Sequence, residues 1–139
     1  MDVTQLPFNR LIGLVGEYAG SEFLVTLPVG PQYLNHLGTV HASALLAVAE
    51  AASGAFLLER LGDTSGFVSV VRRLEAKFRR PASGQVSARA AVAPEELARW
   101  ASELASRGRV LAAVSIEVVD AGGTVVLTAT VEWFIARDV

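Results

Sequence analysis

The 139-residue sequence contains no cysteine. That absence excludes disulfides, thiolate zinc sites and a cysteine nucleophile. Histidine is nearly as scarce: His36 and His41 are the only two, and neither has an acid at ligand spacing, so no metal site is read. Charge is sparse as well, with 19% charged residues and a formal net charge of −2, a balance that argues against a general nucleic-acid binder. There is no glycine-rich phosphate loop of the P-loop type, no internal repeat and no low-complexity tract. Met1 to Pro7 lack a basic segment leading into an apolar one, so no secretory signal is read and the cytoplasm is the expected compartment.

What the chain does have is apolar residues, 52% of the total. Residues 1–139 suit one domain with a real core, and such a composition implies that a further subunit covers part of the surface. The apolar excess peaks between Ala42 and Leu58, where Glu50 is the only charge between His41 and Glu59. A membrane span would need roughly 20 apolar residues without a central acid, so this stretch is read as a buried helix. An ionised carboxylate is costly to bury unpaired, so Glu50 needs a partner, a proton or a task.

Local signals place the elements in order. Pro7 to Ile12 reads as a short helix closed by Gly13, Phe23 to Leu27 as a strand, and Gly30 to Tyr33 as a break. The long helix is expected to follow Gly38, capped by Thr39, and to stop near Arg60-Leu61-Gly62. Beyond a loop through Asp63, Phe67 to Arg79 reads as a strand, with Val68, Val70, Arg72, Leu74, Ala76 and Phe78 on one face and Ser69, Val71, Arg73, Glu75, Lys77 and Arg79 on the other. Gln85 to Val92 is the next strand, and Pro94 to Leu104 an amphipathic helix with Leu97, Trp100 and Leu104 on its apolar stripe. Arg109 to Val119 and Thr124 to Ala136 pair through an Asp120-Ala121-Gly122-Gly123 turn. With no regular βαβ alternation, the expected class is α+β: an antiparallel sheet of about five strands wrapped around one long central helix.

The stretch Asn35, Gly38, His41, Glu50, followed later by Phe78-Arg79-Arg80-Pro81, resembles the hotdog-fold thioesterases of the phenylacetyl-CoA thioesterase-like branch. That pattern runs Asn, then Gly-x-x-His-Gly-Gly at the helix start, then an acid nine residues past the His, and it closes a later strand with aromatic-x-Arg-Pro. Here Ala42-Ser43 stands for the glycine pair, Glu50 for an acid that is often Asp, and the helix from Pro94 looks inserted. Branch members commonly carry Ser or Thr on the strand facing the acid; that place is Val71 here, with Ser69 two residues earlier.

The resemblance implies hydrolysis of an acyl-CoA or acyl-carrier-protein thioester, with coenzyme A as part of the substrate and no separate cofactor. Glu50 is then the base or nucleophile, and Asn35 with the helix start at His41-Ala42 polarises the carbonyl; Gly38, Ser43, Ser69, Val71, Arg72 and Arg79 are candidate substrate contacts. His41 and Glu50 are nine residues apart, on roughly opposite helix faces and about 13 Å apart along the axis, so they cannot meet within one chain. A homodimer or homotetramer is expected to join them. Bland readings stay beside these: Glu50 as a structural carboxylate paired across a dimer, His41 as a positioning residue, Asn35 as an ordinary turn residue, and the basic residues of the strand as a solvated edge. A non-catalytic acyl-thioester-binding module and a purely structural dimer are the competing classes.

Overall fold

The computed structural model describes residues 1–62 and 64–138, so Asp63 in the expected loop, and Val139, lie outside the described residues. A 3₁₀ turn at Val3–Gln5 leads into helix α1, Pro7–Ile12, strand β1, Val15–Gly16, and strand β2, Val25–Leu27. Helix α2, Ala42–Leu61, follows; then β3, Phe67–Phe78, β4, Val86–Ala90, α3, Pro94–Arg107, β5, Arg109–Asp120, and β6, Val125–Arg137. The six strands form one antiparallel sheet in the order β1-β2-β4-β5-β6-β3. This is the α+β arrangement expected from the sequence, with a very short β1 as the additional strand.

Local chemistry accounts for the elements. Pro7 sits at the start of α1, and Gly13 ends it at φ +77°, where its N–H reaches Arg10 and Asn9 carbonyls. A side chain at Gly13 would also lie 2.7 Å from the Tyr33 hydroxyl, so a larger residue forces that hydroxyl to move. At the β5–β6 turn, the Asp120 carboxylate accepts the N–H groups of Gly122 at 3.0 Å and Thr124 at 2.9 Å.

The core lies between α2 and the inner face of the sheet. Leu45, Val48, Ala49, Ala52 and Phe56 of α2 are buried against Val110, Ala112, Val114, Ile116 and Val118 of β5 and Leu127, Ala129, Val131 and Ile135 of β6. Alternate residues Ser115, Glu117, Thr128, Thr130 and Glu132 take the outer face. By length and composition α2 could cross a bilayer, but its buried side chains pack on the protein's own sheet, as those of a core helix do. Each large side chain so buried contributes about 1.5–3 kcal/mol.

β4 stops where Ala90 pairs with Ile116, leaving the first half of β5 without a strand on that side. Helix α3 packs there, with Trp100 fully buried. It runs three residues past the expected Leu104, because Ala105, Ser106 and Arg107 continue the helix until Gly108 closes it at φ +71°.

Two local expectations are corrected. Thr39 does not cap α2; His41 is the N-cap, its Nδ1 accepting the Ser43 N–H at 2.9 Å, while the Thr39 hydroxyl is held by Asn35. The two faces assigned to β3 are also wrong beyond Val71, since the register to β6 shifts between Val71 and Arg73 and leaves Arg72 in a bulge. One extra residue inverts every later side chain. The helix-side face is therefore Phe67, Ser69, Val71, Leu74, Ala76 and Phe78, and the outer face holds Val68, Val70, Arg73, Glu75 and Lys77.

Candidate functional site

The segment before α2 is folded back on itself. Leu34 bridges Val40, Asn35 N–H donates to the Thr39 carbonyl at 2.8 Å, and Gly38 N–H donates to the Asn35 carbonyl at 3.1 Å. Gly38 takes φ +77°, a conformation that favours glycine. The Asn35 side chain locks this loop from inside: its Oδ1 accepts from Leu37 N–H at 2.9 Å and Thr39 N–H at 3.1 Å, and its Nδ2 donates to Thr39 Oγ1 at 2.9 Å. One of the two amide hydrogens is used in that bond, and the other has no partner among the described residues. Val40 N–H then donates to the Ala82 carbonyl at 2.8 Å, tying the loop to the chain just after β3.

That tie creates a groove of about 380 Å³ at the start of α2, lined by Asn35, Thr39, Ala42, Leu45, Phe78 and Arg79 together with Arg80 to Ala82. The helix start supplies one free donor to it. Ser43 N–H is taken by His41 Nδ1, and Ala44 and Leu45 N–H reach the His41 carbonyl at 3.0 and 3.1 Å. Ala42 N–H has no hydrogen-bond partner among the described residues. It lies at the positive end of a 20-residue helix. Gly38, His41 and Ser43 are exposed beside the groove and do not line it.

Glu50 is elsewhere, two turns along α2. Its backbone carbonyl accepts from Ser53 Oγ at 2.6 Å, and Ser53 Oγ accepts in turn from Trp133 Nε1 at 2.9 Å. Trp133 also packs over Gly54, where a Cβ would sit 3.4 Å from the indole. Ser53 and Gly54 are three and four residues past Glu50, so Glu50 shares their face and points toward the β6–β3 half of the sheet. Its carboxylate has no hydrogen-bond or ion-pair partner among the described residues, and partial burial pushes its pKa above the usual carboxylate range.

The remaining candidates divide. Ser69 and Val71 stand on the helix side of β3 opposite Ile135 and Trp133. Arg79 lines the groove and its Nε donates to Thr128 Oγ1 at 3.2 Å. Arg72, in the bulge, lies 5.9 Å from the Phe134 ring centre, on the outer side of the sheet. The basic run is thus split: Arg80 lines the groove, Arg79 stands at its rim with its guanidinium on the outer-face Thr128, and Arg72, Arg73 and Lys77 lie outside. Sequence reasoning missed Ser53; a small polar residue followed by glycine, one turn past the lone acid, was the signal available.

A sheet wrapped on a central helix in this order is the hotdog fold of the thioesterase superfamily. A protein of unknown function from Pseudomonas aeruginosa, described as a probable thioesterase, is 25% identical, with a TM-score of 0.82 over 98% of this chain and 91% of that one. A Haemophilus influenzae thioesterase is 17% identical, with a TM-score of 0.72 over 97% and 86%. A Bacillus halodurans protein solved with CoA is 22% identical, with a TM-score of 0.69 over 92% and 74%. No protein of curated function matches in sequence. The family model described as a domain of unknown function, DUF4442, matches residues 7–135, and the chain belongs to that family.

Proposed function

We propose that the protein is a thioester hydrolase acting on an acyl-CoA or acyl-carrier-protein thioester, at sites shared by two copies of the chain. The observation that carries this reading is a division of labour: a free helix-start amide and Asn35 meet in one groove, while an unpartnered, half-buried acid lies two turns away on another face. Neither half is sufficient alone, and a two-fold dimer supplies each with the other.

The uncovered edge supports the same arrangement. None of the 12 residues of β3 is fully buried, among the described residues β3 pairs only with β6, and it carries no proline. Such an edge invites a second strand. Pairing with its own symmetry mate covers Val71, Leu74 and Phe78 and brings each groove toward the other subunit's α2.

In the reaction, Ala42 N–H and the spare Asn35 amide hydrogen hold the carbonyl oxygen as negative charge develops there, a donor worth about 10²–10³ in rate. Arg79 and Arg80 face the phosphates of the CoA end. Glu50 of the facing copy takes a proton from water as it attacks the carbonyl carbon. The C–S bond then breaks, and the thiolate receives the proton. The CoA bound to the Bacillus halodurans protein fits this substrate class. Ala42-Ser43 in place of glycines, and Val71 where a hydroxyl is common, favour a second reading, a module that binds the thioester without turnover.

A panel of acyl-CoAs, read by free-thiol release and by thermal shift, separates the readings. Turnover that Glu50→Gln removes supports the enzyme; stabilisation without turnover supports the binding module; neither leaves a structural dimer.

A further inference from the structure

On the outer side of the sheet, away from α2 and the groove, a second cavity of about 310 Å³ opens between α3, β5 and β3. Four guanidiniums line it, from Arg99 and Arg107 of α3, Arg109 of β5 and Arg72 of the β3 bulge, against one carboxylate, Glu103. Arg99 is neutralised locally, its NH1 bonded to Glu103 at 2.9 Å and its NH2 to Glu96 at 2.8 Å. Arg107 and Arg109 have no ion-pair partner among the described residues, and neither does Arg72, which covers the Phe134 ring.

Arginine cannot relieve such crowding by losing a proton, as lysine can. Three uncompensated positive charges from three elements therefore stay fixed around one concavity, in a chain whose net charge is −2. The planar fork of each guanidinium matches two phosphoryl oxygens at once. The floor is different in kind: Phe134 and the exposed Leu111 are apolar, on the outer face of the sheet. A cationic rim over an aromatic floor suits a ligand that joins a polyanion to a flat ring.

We propose that this cavity binds a phosphorylated nucleotide-class ligand, with Arg107 and Arg109 on its phosphoryl groups and its base against the Arg72 guanidinium stacked over Phe134, at a site separate from the thioester groove. The bulge at Arg72 gains a purpose here, because the register shift sets an arginine beside the outer-face Phe134.

Binding is read on the full chain by calorimetry and thermal shift at constant ionic strength, with pyrophosphate, ADP and adenosine as probes, and independently of thioester turnover. Pyrophosphate and ADP are expected to bind saturably and raise the melting temperature, ADP at least as tightly as pyrophosphate, and adenosine to do neither. The pair Arg107→Ala with Arg109→Ala is expected to weaken ADP at least tenfold, with partial recovery in the two lysine variants. Arg79→Ala with Arg80→Ala removes the phosphate contacts proposed at the thioester groove, and a saturable ADP response is expected to persist in that variant. No saturable response to either phosphate probe, loss of response only in the Arg79/Arg80 pair, or a response confined to an acidic polypeptide such as polyglutamate would each overturn the proposal.

Discussion

Trp133 Nε1 donates to Ser53 Oγ at 2.9 Å, and Ser53 Oγ donates onward to the backbone carbonyl of Glu50 at 2.6 Å. A strand at the far side of the sheet thereby fixes the turn of helix that carries the acid. The clamp explains why a serine interrupts an otherwise aliphatic face, since Ser53 supplies the acceptor, and the indole packs over Gly54 beside it.

Ser53→Ala leaves the indole N–H without its acceptor in a largely enclosed place, at a cost of about 1–3 kcal/mol in unfolding free energy. A double-mutant cycle with Trp133→Phe should give a coupling of about 0.5–3 kcal/mol by denaturant melts. Additive effects would mean that the clamp carries no energy of its own.

Asn35 has two separable roles. Asn35→Asp keeps the acceptor for Leu37 and Thr39 N–H, so the loop and the melting temperature should hold, while the amide donor is gone. Asn35→Ala loses both sets of bonds and should also lower stability by about 1–2 kcal/mol. If the carbonyl is polarised by the amide, thiol release falls by a similar factor in both variants; activity retained in Asn35→Asp would confine the residue to loop architecture.

Burial raises the Glu50 pKa above its ordinary 4.5, so the folded chain holds that proton over a range of pH where the unfolded chain has lost it. Stability from the neutral carboxyl is therefore present below the ordinary value and lost as pH rises through the raised one. At neutral pH the ionised form is a net cost, which Glu50→Gln removes. That variant should melt at the same temperature or higher at pH 7, with a flatter pH dependence above 4.5. Its thiol release should drop by about 10²–10⁴-fold, the usual contribution of a general base. The wild-type rate should fall on the acid side through a pKa above the ordinary glutamate value. A Gln variant that melts lower at neutral pH would point to a structural ion pair instead.

Much of this was legible from the residues. Pro7 and Gly13 bracket α1, the Asp120 to Gly123 turn fixes the last hairpin, and the nine-residue spacing of His41 and Glu50 already separates them on one helix. The bulge was not legible, because Arg72 sits comfortably in a strand pattern and only the pairing with β6 reveals the extra residue. The cap was misread because Thr39 has the better capping chemistry, yet Asn35 takes its hydroxyl and the helix begins two residues later. The split of the basic run follows from the bulge and from the end of β3, neither of which charge counting can see.

The edge of β3 tests the assembly. Leu74→Arg places a charge on its helix-side face, and the variant should sediment at the chain mass where the wild type sediments at twice that mass or more. An unchanged mass would remove β3 from the interface.

Ala42→Pro removes the free amide hydrogen from a first-turn position where proline is well accepted and no intrahelical bond is lost, so the fold should persist while thiol release falls by about 10²–10³-fold. Ala42→Val, with similar added bulk and the N–H retained, is its control. Co-expression of Ala42→Pro chains with Glu50→Gln chains is the most direct test of a site built from two copies. Random pairing makes half the dimers mixed, each with one site holding both an intact amide and an intact acid, so about a quarter of wild-type activity should return. Activity no higher than that of either variant alone would contradict the shared site.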